Sequence, residues 1–406
     1  MEMKNFLTFL INRKTNSKRV YLDTASSTQI EPQVLESMQP FLTVDFGNPS
    51  SFHTEGVRAR QAVEKARTDI KNILNTKGGE VIFTTGGTEA NNLALLGAVK
   101  SYQKHFGKSG TVLCSSIEHH SVLGPLEASG AQLFKIKVDQ MGSFDLNHFK
   151  ELLHQANELV VISVCYANNE IGTVFPIKDI AKLIRKKRKE TGSAWPLLHI
   201  DACQAPRFLS LDVTALGVDL MTLNSSKIYG PKGVGLLYVG PKVSLEPVIY
   251  GGGQEFGLWS GTENVAGQVG LAKALALCEV KKEAKWQQMD RVCQHLKKGL
   301  ERNIPQLIFH GLNESRLPHN LNVTFLGVDS EQVAIELDHY GFAVSVGSAC
   351  STNKKSDNHV LKALYGAGAP TESSVRFTLD NGTTFGDIDN LLKILPPIIK
   401  RHRSVN

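Results

Sequence analysis

The sequence predicts an α/β protein with a mainly parallel sheet, followed by a smaller α+β unit. Two observations predict it. Short, nearly continuous apolar runs alternate with longer helical patterns through the first two-thirds of the chain, as in strands covered on both faces by helices. The length, 406 residues, is too great for one simple core and fits two domains packed together.

The strand candidates are taken in chain order. Glu80–Thr84 (EVIFT), Thr111–Ser115 (TVLCS) and Val160–Val164 are β-rich and apolar, as are Pro196–Ile200 (PLLHI), Asp219–Leu223 (DLMTL) and Gly235–Val239 (GLLYV). Helical patterns at Gly56–Asn75 and Ile177–Arg188 fall between them. A stretch rich in Ala, Leu, Glu and Lys from Ala266 to His295 reads as one long helix. Asn320–Phe325, Phe342–Ser345 and Ser374–Leu379 then read as strands of the smaller unit, closed by a helix near Phe385–Arg401. The expected division is an N-terminal extension over 1–19, a large domain over 20–276, and a small C-terminal domain over 277–406 that carries Cys350.

Hydrophobic residues make up 41% and charged residues 21%, which argues against disorder and collagen-like repeats. The net charge of +6 is modest for the length. The basic runs Ile184–Lys189 and Lys400–Arg403 lack interleaved aromatic residues, so they read as solvated charge and no direct nucleic-acid partner is expected. None of the six cysteines forms a C-x-x-C pair or a Cys/His spacing suited to zinc, and no metal is expected. Cys114, Cys165 and Cys203 lie in or beside strand-like runs and read as buried free thiols of a reducing compartment. No run is apolar enough to cross a membrane, and Phe6–Ile11 is too short for a secretory signal; a cytoplasmic protein is expected.

Four constellations carry chemistry. The strand ending at Thr84 runs through Thr85-Gly86-Gly87-Thr88 into a helix, where free backbone N–H groups suit a phosphate; a plain strand-to-helix turn would look the same. Asp201 ends the strand of His199-Ile200-Asp201-Ala202-Cys203-Gln204, where a carboxylate either holds a cationic ring nitrogen or caps a helix. In Asn224-Ser225-Ser226-Lys227, the lysine follows a strand and two hydroxyl residues, a position open to a Schiff-base lysine. Its neighbour Lys232 sits in a Pro-Lys-Gly turn that points to solvent. Cys350, in Gly347-Ser348-Ala349-Cys350 before the polar run Thr352–His359, reads as an exposed thiol: a nucleophile where its pKa is lowered or a base assists, a tolerated surface residue otherwise.

The order and spacing of these motifs resemble the NifS-like enzymes, pyridoxal 5'-phosphate enzymes of fold type I in the class-V aminotransferase family that comprise cysteine desulfurases and selenocysteine lyases. Matching stretches include Tyr21-Leu22-Asp23, Gly47–Ser51, Phe83–Asn92, Glu118-His119, Asn168–Gly172, Asp201–Gln204, Lys227–Gly233, Gly251–Glu255, Ser260–Asn264, Gly347–Cys350 and Arg376, nearly the whole chain after Arg19. The resemblance implies a seven-stranded sheet in the large domain and an enzyme that converts L-cysteine to L-alanine. It implies that Lys227 is the Schiff-base lysine and α-carbon base, and that Asp201 pairs with the pyridine nitrogen. His119 would stack on the ring, and Gln204 and Asn168 would reach the ring oxygen or the substrate carboxylate. Gly87, Thr88, Asn224 and Ser226 would help hold the cofactor, Thr262 would reach the phosphate of the other subunit of a homodimer with shared sites, and Arg376 would grip the substrate carboxylate. Cys350 would receive the sulfur as a persulfide for a sulfur-acceptor protein, such as an iron–sulfur scaffold or a tRNA-thiolation relay.

The chain departs from this pattern in four places. Ser226 stands where the family usually has histidine, and Phe256, Trp259 and Asn381 stand where it usually has arginine. The expectation is charge loss at the mouth of the site and weaker attraction for an anion. Alternative readings are a selenocysteine lyase or another pyridoxal-phosphate β-lyase, and a divergent cofactor-binding homologue with reduced activity.

Overall fold

A computed structural model describes residues 18–280, 282–346, 358–370 and 373–404. Thirteen strands are described: β1 Val20–Tyr21, β2 Glu80–Thr84, β3 Thr111–Ser115, β4 Gln132–Ile136, β5 Leu159–Cys165, β6 Leu197–Asp201, β7 Leu220–Asn224, β8 Gly235–Val239, β9 Leu307–His310, β10 Asn320–Phe325, β11 Phe342–Ala343, β12 Ser345–Val346 and β13 Ser374–Thr378. Seven form one sheet in the order β2-β8-β7-β6-β5-β3-β4. The pairs β7-β6, β6-β5, β5-β3 and β3-β4 are parallel, and β8 runs antiparallel to both its neighbours.

The central strands form where apolar side chains find helices on both faces. All seven residues of β5 (LVVISVC) are buried, whereas the edge strand β4 (QLFKI) buries only Ile136. Beta-branched side chains suit such a doubly covered pleat. One helix on this sheet, Gly87–Phe106, packs Ala90, Leu93, Ala94 and Ala98 inward and ends at Gly107 in the left-handed conformation.

The stretch expected as one helix from Ala266 to His295 is two, Val265–Glu279 and Lys282–Asn303. The first stops at Val280, whose backbone is extended. It is buried around much of its circumference, while the second shows one apolar stripe (Met289, Val292, Cys293, Leu296, Leu300). That stripe belongs to a second core, with Leu321, Val323, Phe325, Phe377, Leu391 and Leu395. The four-stranded antiparallel sheet β12-β13-β10-β9 underlies it. The expected strand Phe342–Ser345 divides at Val344, giving one piece to each of two sheets. Val20 and Leu22 also enter the second core, because β1 pairs in parallel with β11. Among the described residues, no helix is long and apolar enough to cross a membrane.

Candidate active site

β2, β3, β5, β6 and β7 all end at one edge of the large sheet, and the segments leaving them enclose a cavity of about 190 Å³. Clefts beyond the carboxyl ends of parallel strands are where such sheets bind ligands. Gly87 and Thr88 follow β2, His119 follows β3, Asn169 follows β5, Asp201, Cys203 and Gln204 come from β6, and Asn224 and Lys227 from β7; Arg376 reaches in from β13.

The floor is a helix start. The helix Gly87–Phe106 has no side-chain cap at Gly86, so its first amides face the cavity. A Cβ on Gly87 would lie 2.9 Å from Cys203 Sγ and 3.3 Å from Asn224 Cβ, so only glycine admits this close approach. Asp201 ends β6 with both oxygens engaged. Oδ1 accepts from the Cys203 amide at 3.0 Å and Oδ2 from Asn91 Nδ2 at 2.9 Å. Asn91 Nδ2 also donates to Ser121 Oγ at 2.9 Å, which ties the carboxylate to the segment carrying His119.

His119 caps the helix His120–Ala128, its Nδ1 accepting from the Ser121 amide at 3.1 Å. Burial holds its pKa below the ordinary histidine range, with Asp201 pulling the other way. The neutral ring therefore keeps its proton on Nε2. Beneath it, Glu118 is fully buried; Oε1 accepts from Ser115 Oγ at 2.5 Å and the Cys165 amide at 2.6 Å, while Oε2 has no partner among the described residues. Burial pushes its carboxyl up to about 8, so at neutral pH it is mainly protonated.

Lys227 ends the short turn that begins at Ser225, and its ammonium donates to the Ser26 carbonyl. Arg376 Nη2 donates to Asp23 Oδ1 and Ser26 Oγ, each at 2.8 Å, and Nη1 to the Asn169 carbonyl at 3.3 Å. Its Nε is a buried donor with no acceptor among the described residues. The fork is thus aimed by its neighbours, and three of its five N–H donors are engaged among the described residues.

The structure brings together Gly87, Thr88, His119, Asp201, Gln204, Asn224, Lys227 and Arg376. Gln204 Nε2 donates to the Ala25 carbonyl at 3.0 Å. Other expectations need correction. Asn168 does not reach the cavity: its Oδ1 accepts from the Glu170 and Ile171 amides and its Nδ2 donates to the Ile117 carbonyl, so it pins the turn and leaves Asn169 on the wall. Ser226 is off the wall, its hydroxyl turned to Asn224 Oδ1. Cys203, expected as a buried structural thiol, lines the cavity, and burial holds its thiol well above the ordinary range. Thr262 is exposed and lines no part of this chain's cavity.

The supposed loss of charge at the mouth also changes meaning. Phe256 is 58% exposed and lies over Arg67, Trp259 packs on the apolar cluster around Leu93, and Asn381 accepts from Arg207 on a different cavity. None of the three lines the cavity between Lys227 and Arg376. Cys350 lies outside the described residues, but the residues on either side of its segment flank the site. Ser345 pairs with Arg376, and His359 Nε2 lies 2.8 Å from the Glu118 carbonyl. Asp23, Asn91, Glu118 and Asn169 stood inside motifs read from the sequence, yet nothing there distinguished their roles. Among the described residues no cluster of His, Cys, Asp and Glu could hold a metal.

Comparison with known proteins gives one consistent result. The profile of the family described as Aminotransferase class-V matches residues 20–391. Cysteine desulfurase IscS 1 of Archaeoglobus fulgidus is 40% identical over 393 residues, 95% of this chain and 98% of that one. A solved NifS-like protein superposes with a TM-score of 0.84 at 31% identity, covering 95% of this chain and all (100%) of the other. A structure described as SspA in complex with cysteine matches with a TM-score of 0.75 at 31% identity, over 90% of this chain and 100% of that one.

Proposed function

The chain belongs to the class-V aminotransferase family, and on that premise we propose that it is a cysteine desulfurase using pyridoxal 5'-phosphate, converting L-cysteine to L-alanine and passing the sulfur to Cys350. The observation that carries the reading is the convergence of Lys227, Asp201, His119 and Arg376 above an uncapped helix start. These residues fit the cofactor. The amides of Gly87 and Thr88 would hold its phosphate, Asp201 its ring nitrogen, His119 its ring face and Lys227 its aldehyde carbon. When bound, it supplies an electron sink for the pair left as the substrate α-carbon loses its proton.

The chain's own residues do the rest. Arg376, steadied by Asp23, Ser26 and Asn169, offers its guanidinium to the substrate carboxylate. Lys227 would be the base that accepts the α-proton. His119 holds a proton on Nε2 at the cavity wall. The Cys350 thiolate attacks the substrate sulfur: the carbon–sulfur bond breaks, a sulfur–sulfur bond forms, and one proton to the β-carbon and one back to the α-carbon complete alanine. Cysteine and thiol become alanine and persulfide with atoms and electrons balanced, so a reductant or acceptor is needed only to discharge Cys350.

The family resemblance supports three further parts of the reading: a homodimer in which Thr262 serves the partner's site, a sulfur acceptor such as an iron–sulfur scaffold or a tRNA-thiolation relay, and a cytoplasmic setting. The test is direct. The purified protein, reconstituted with pyridoxal 5'-phosphate, should show the cofactor's absorbance band and release sulfide and alanine from L-cysteine and dithiothreitol. Sulfide release should vanish in Cys350→Ala. A protein that takes up no cofactor, or takes it up and makes no alanine, would sink the reading.

A further inference from the structure

On the far side of the Lys227 turn lies a second cavity, of about 340 Å³, that shares no wall residue with the first. Ile228, Tyr229, Phe208 and Leu277 give it apolar walls, and Arg207, Lys285 and Glu31 bring charge. Its size falls in the range of small-ligand pockets.

Arg207 is the unusual group. It is 6% exposed, and its donors meet neutral acceptors: Nη1 the Thr24 hydroxyl at 3.3 Å, Nη2 Asn381 Oδ1 at 2.9 Å. Its guanidinium carbon lies 4.9 Å from the Phe208 ring centre and 5.0 Å from that of Tyr229. It forms no ion pair among the described residues, unlike the buried Arg67, which pairs with Glu255, and Arg376, which pairs with Asp23. A buried cation without a counter-charge is costly, and cation–π contacts offset that cost only in part. Lys285 adds a second cation, with Nζ donating to the Leu277 carbonyl at 2.9 Å. Against these two positive groups the lining itself sets one carboxylate, Glu31, while Asp380 lies behind it on the Tyr229 hydroxyl, so an anionic occupant would complete the charge on the cavity's own surface.

We propose that this cavity is a second binding site, independent of the reaction above, for a small monocarboxylate with an apolar body. The carboxylate meets the Arg207 fork and the Lys285 ammonium, while the apolar part lies against Phe208, Ile228 and Leu277. A dianion is disfavoured by Glu31 on the same wall. The occupant touches Ile228 and Tyr229, immediately after Lys227. The Tyr229 hydroxyl donates to Asp380 Oδ1 at 2.6 Å and accepts from the Asn381 amide at 3.1 Å.

The experiment titrates 3-phenylpropionate into the holoenzyme by calorimetry, with neutral 3-phenylpropanamide as control. Saturable binding of the acid is expected, with the amide and the Arg207→Gln protein each weaker by about tenfold or more, the worth of one charge-assisted contact. Leu277→Trp, which fills the cavity, should abolish binding, and Arg376→Ala, which disarms the first cavity, should leave it unchanged. Should Arg207→Gln fail to fold, as judged by circular dichroism, Lys285→Gln and Leu277→Trp carry the same test. The proposal is overturned if millimolar acid shows no saturable binding, if the cavity variants bind as well as wild type, or if binding disappears with Arg376→Ala.

Discussion

Lys227 and Tyr229 leave the same short segment after β7, yet their side chains serve different cavities. In the first, charge is matched within the chain. Arg376 pairs with Asp23, and Asp201 is fixed by an amide and by Asn91. In the second, Arg207 rests on a hydroxyl, an amide oxygen and two aromatic rings. The first is arranged to hold reactants in fixed geometry, while the second is arranged around a charge that awaits its complement. The difference teaches that buried charge alone does not mark a catalytic site; what marks it is charge whose orientation is over-determined.

The largest test of this contrast is Lys227→Ala. Turnover of L-cysteine should fall by roughly 10²–10⁴-fold or more, the worth of a positioned acid–base group. Tyr229→Phe removes only a hydroxyl and should cost less than about tenfold. Equal losses in the two steady-state assays would erase the distinction. Next, Arg376→Ala should raise KM for L-cysteine by about 10–100-fold, as expected for a charge-assisted contact, with a smaller change in kcat. A change confined to kcat would mean that Arg376 does not grip the carboxylate.

Smaller effects separate scaffold from contact. Asn168→Ala deletes three hydrogen bonds of a buried turn and should lower stability by about 1–3 kcal/mol in thermal melts. Asn169→Ala should shift KM and leave Tm nearly unchanged. A pH-dependent effect concerns Glu118. Its folded-state pKa is pushed up to about 8 by burial, so the folded chain keeps a proton that an ordinary glutamate gives up near 4.5. Its contribution to stability is therefore complete below that value and fades as pH rises toward 8. Relative to Glu118→Gln, which cannot ionise, the wild-type Tm should decline across that window. Parallel Tm curves for the two proteins would show that Glu118 is not held protonated.

Much of this was legible in the sequence, and for definite reasons. β2, β3 and β8 fall where apolar β-rich runs put them, because strands buried on both faces leave no polar alternation to confuse the pattern. The edge strand β4 was missed because Gln132 and Lys135 dilute its run and only Ile136 is buried. Asp201 and Lys227 could be read because each follows a strand into the cleft. Which of two adjacent asparagines faces that cleft depends on one turn's hydrogen bonds, which composition does not encode. Arg207 gave no signal, since an arginine after Ala205-Pro206 looks like ordinary surface charge until the packing around it is known.

The pairing of β1 with β11 joins Val20 to Phe342, and the grip of Asp23 on Arg376 beside it joins residues 353 apart in sequence. Contacts of such separation carry the heaviest loop-closure entropy and form late. On a ribosome the first partner emerges long before the second, and it must wait for nearly the whole chain to be made. Recognition of substrate is thus among the last properties the molecule acquires. A chain truncated before β13, even one with an intact large sheet, lacks Arg376 itself and with it the grip proposed for the substrate carboxylate.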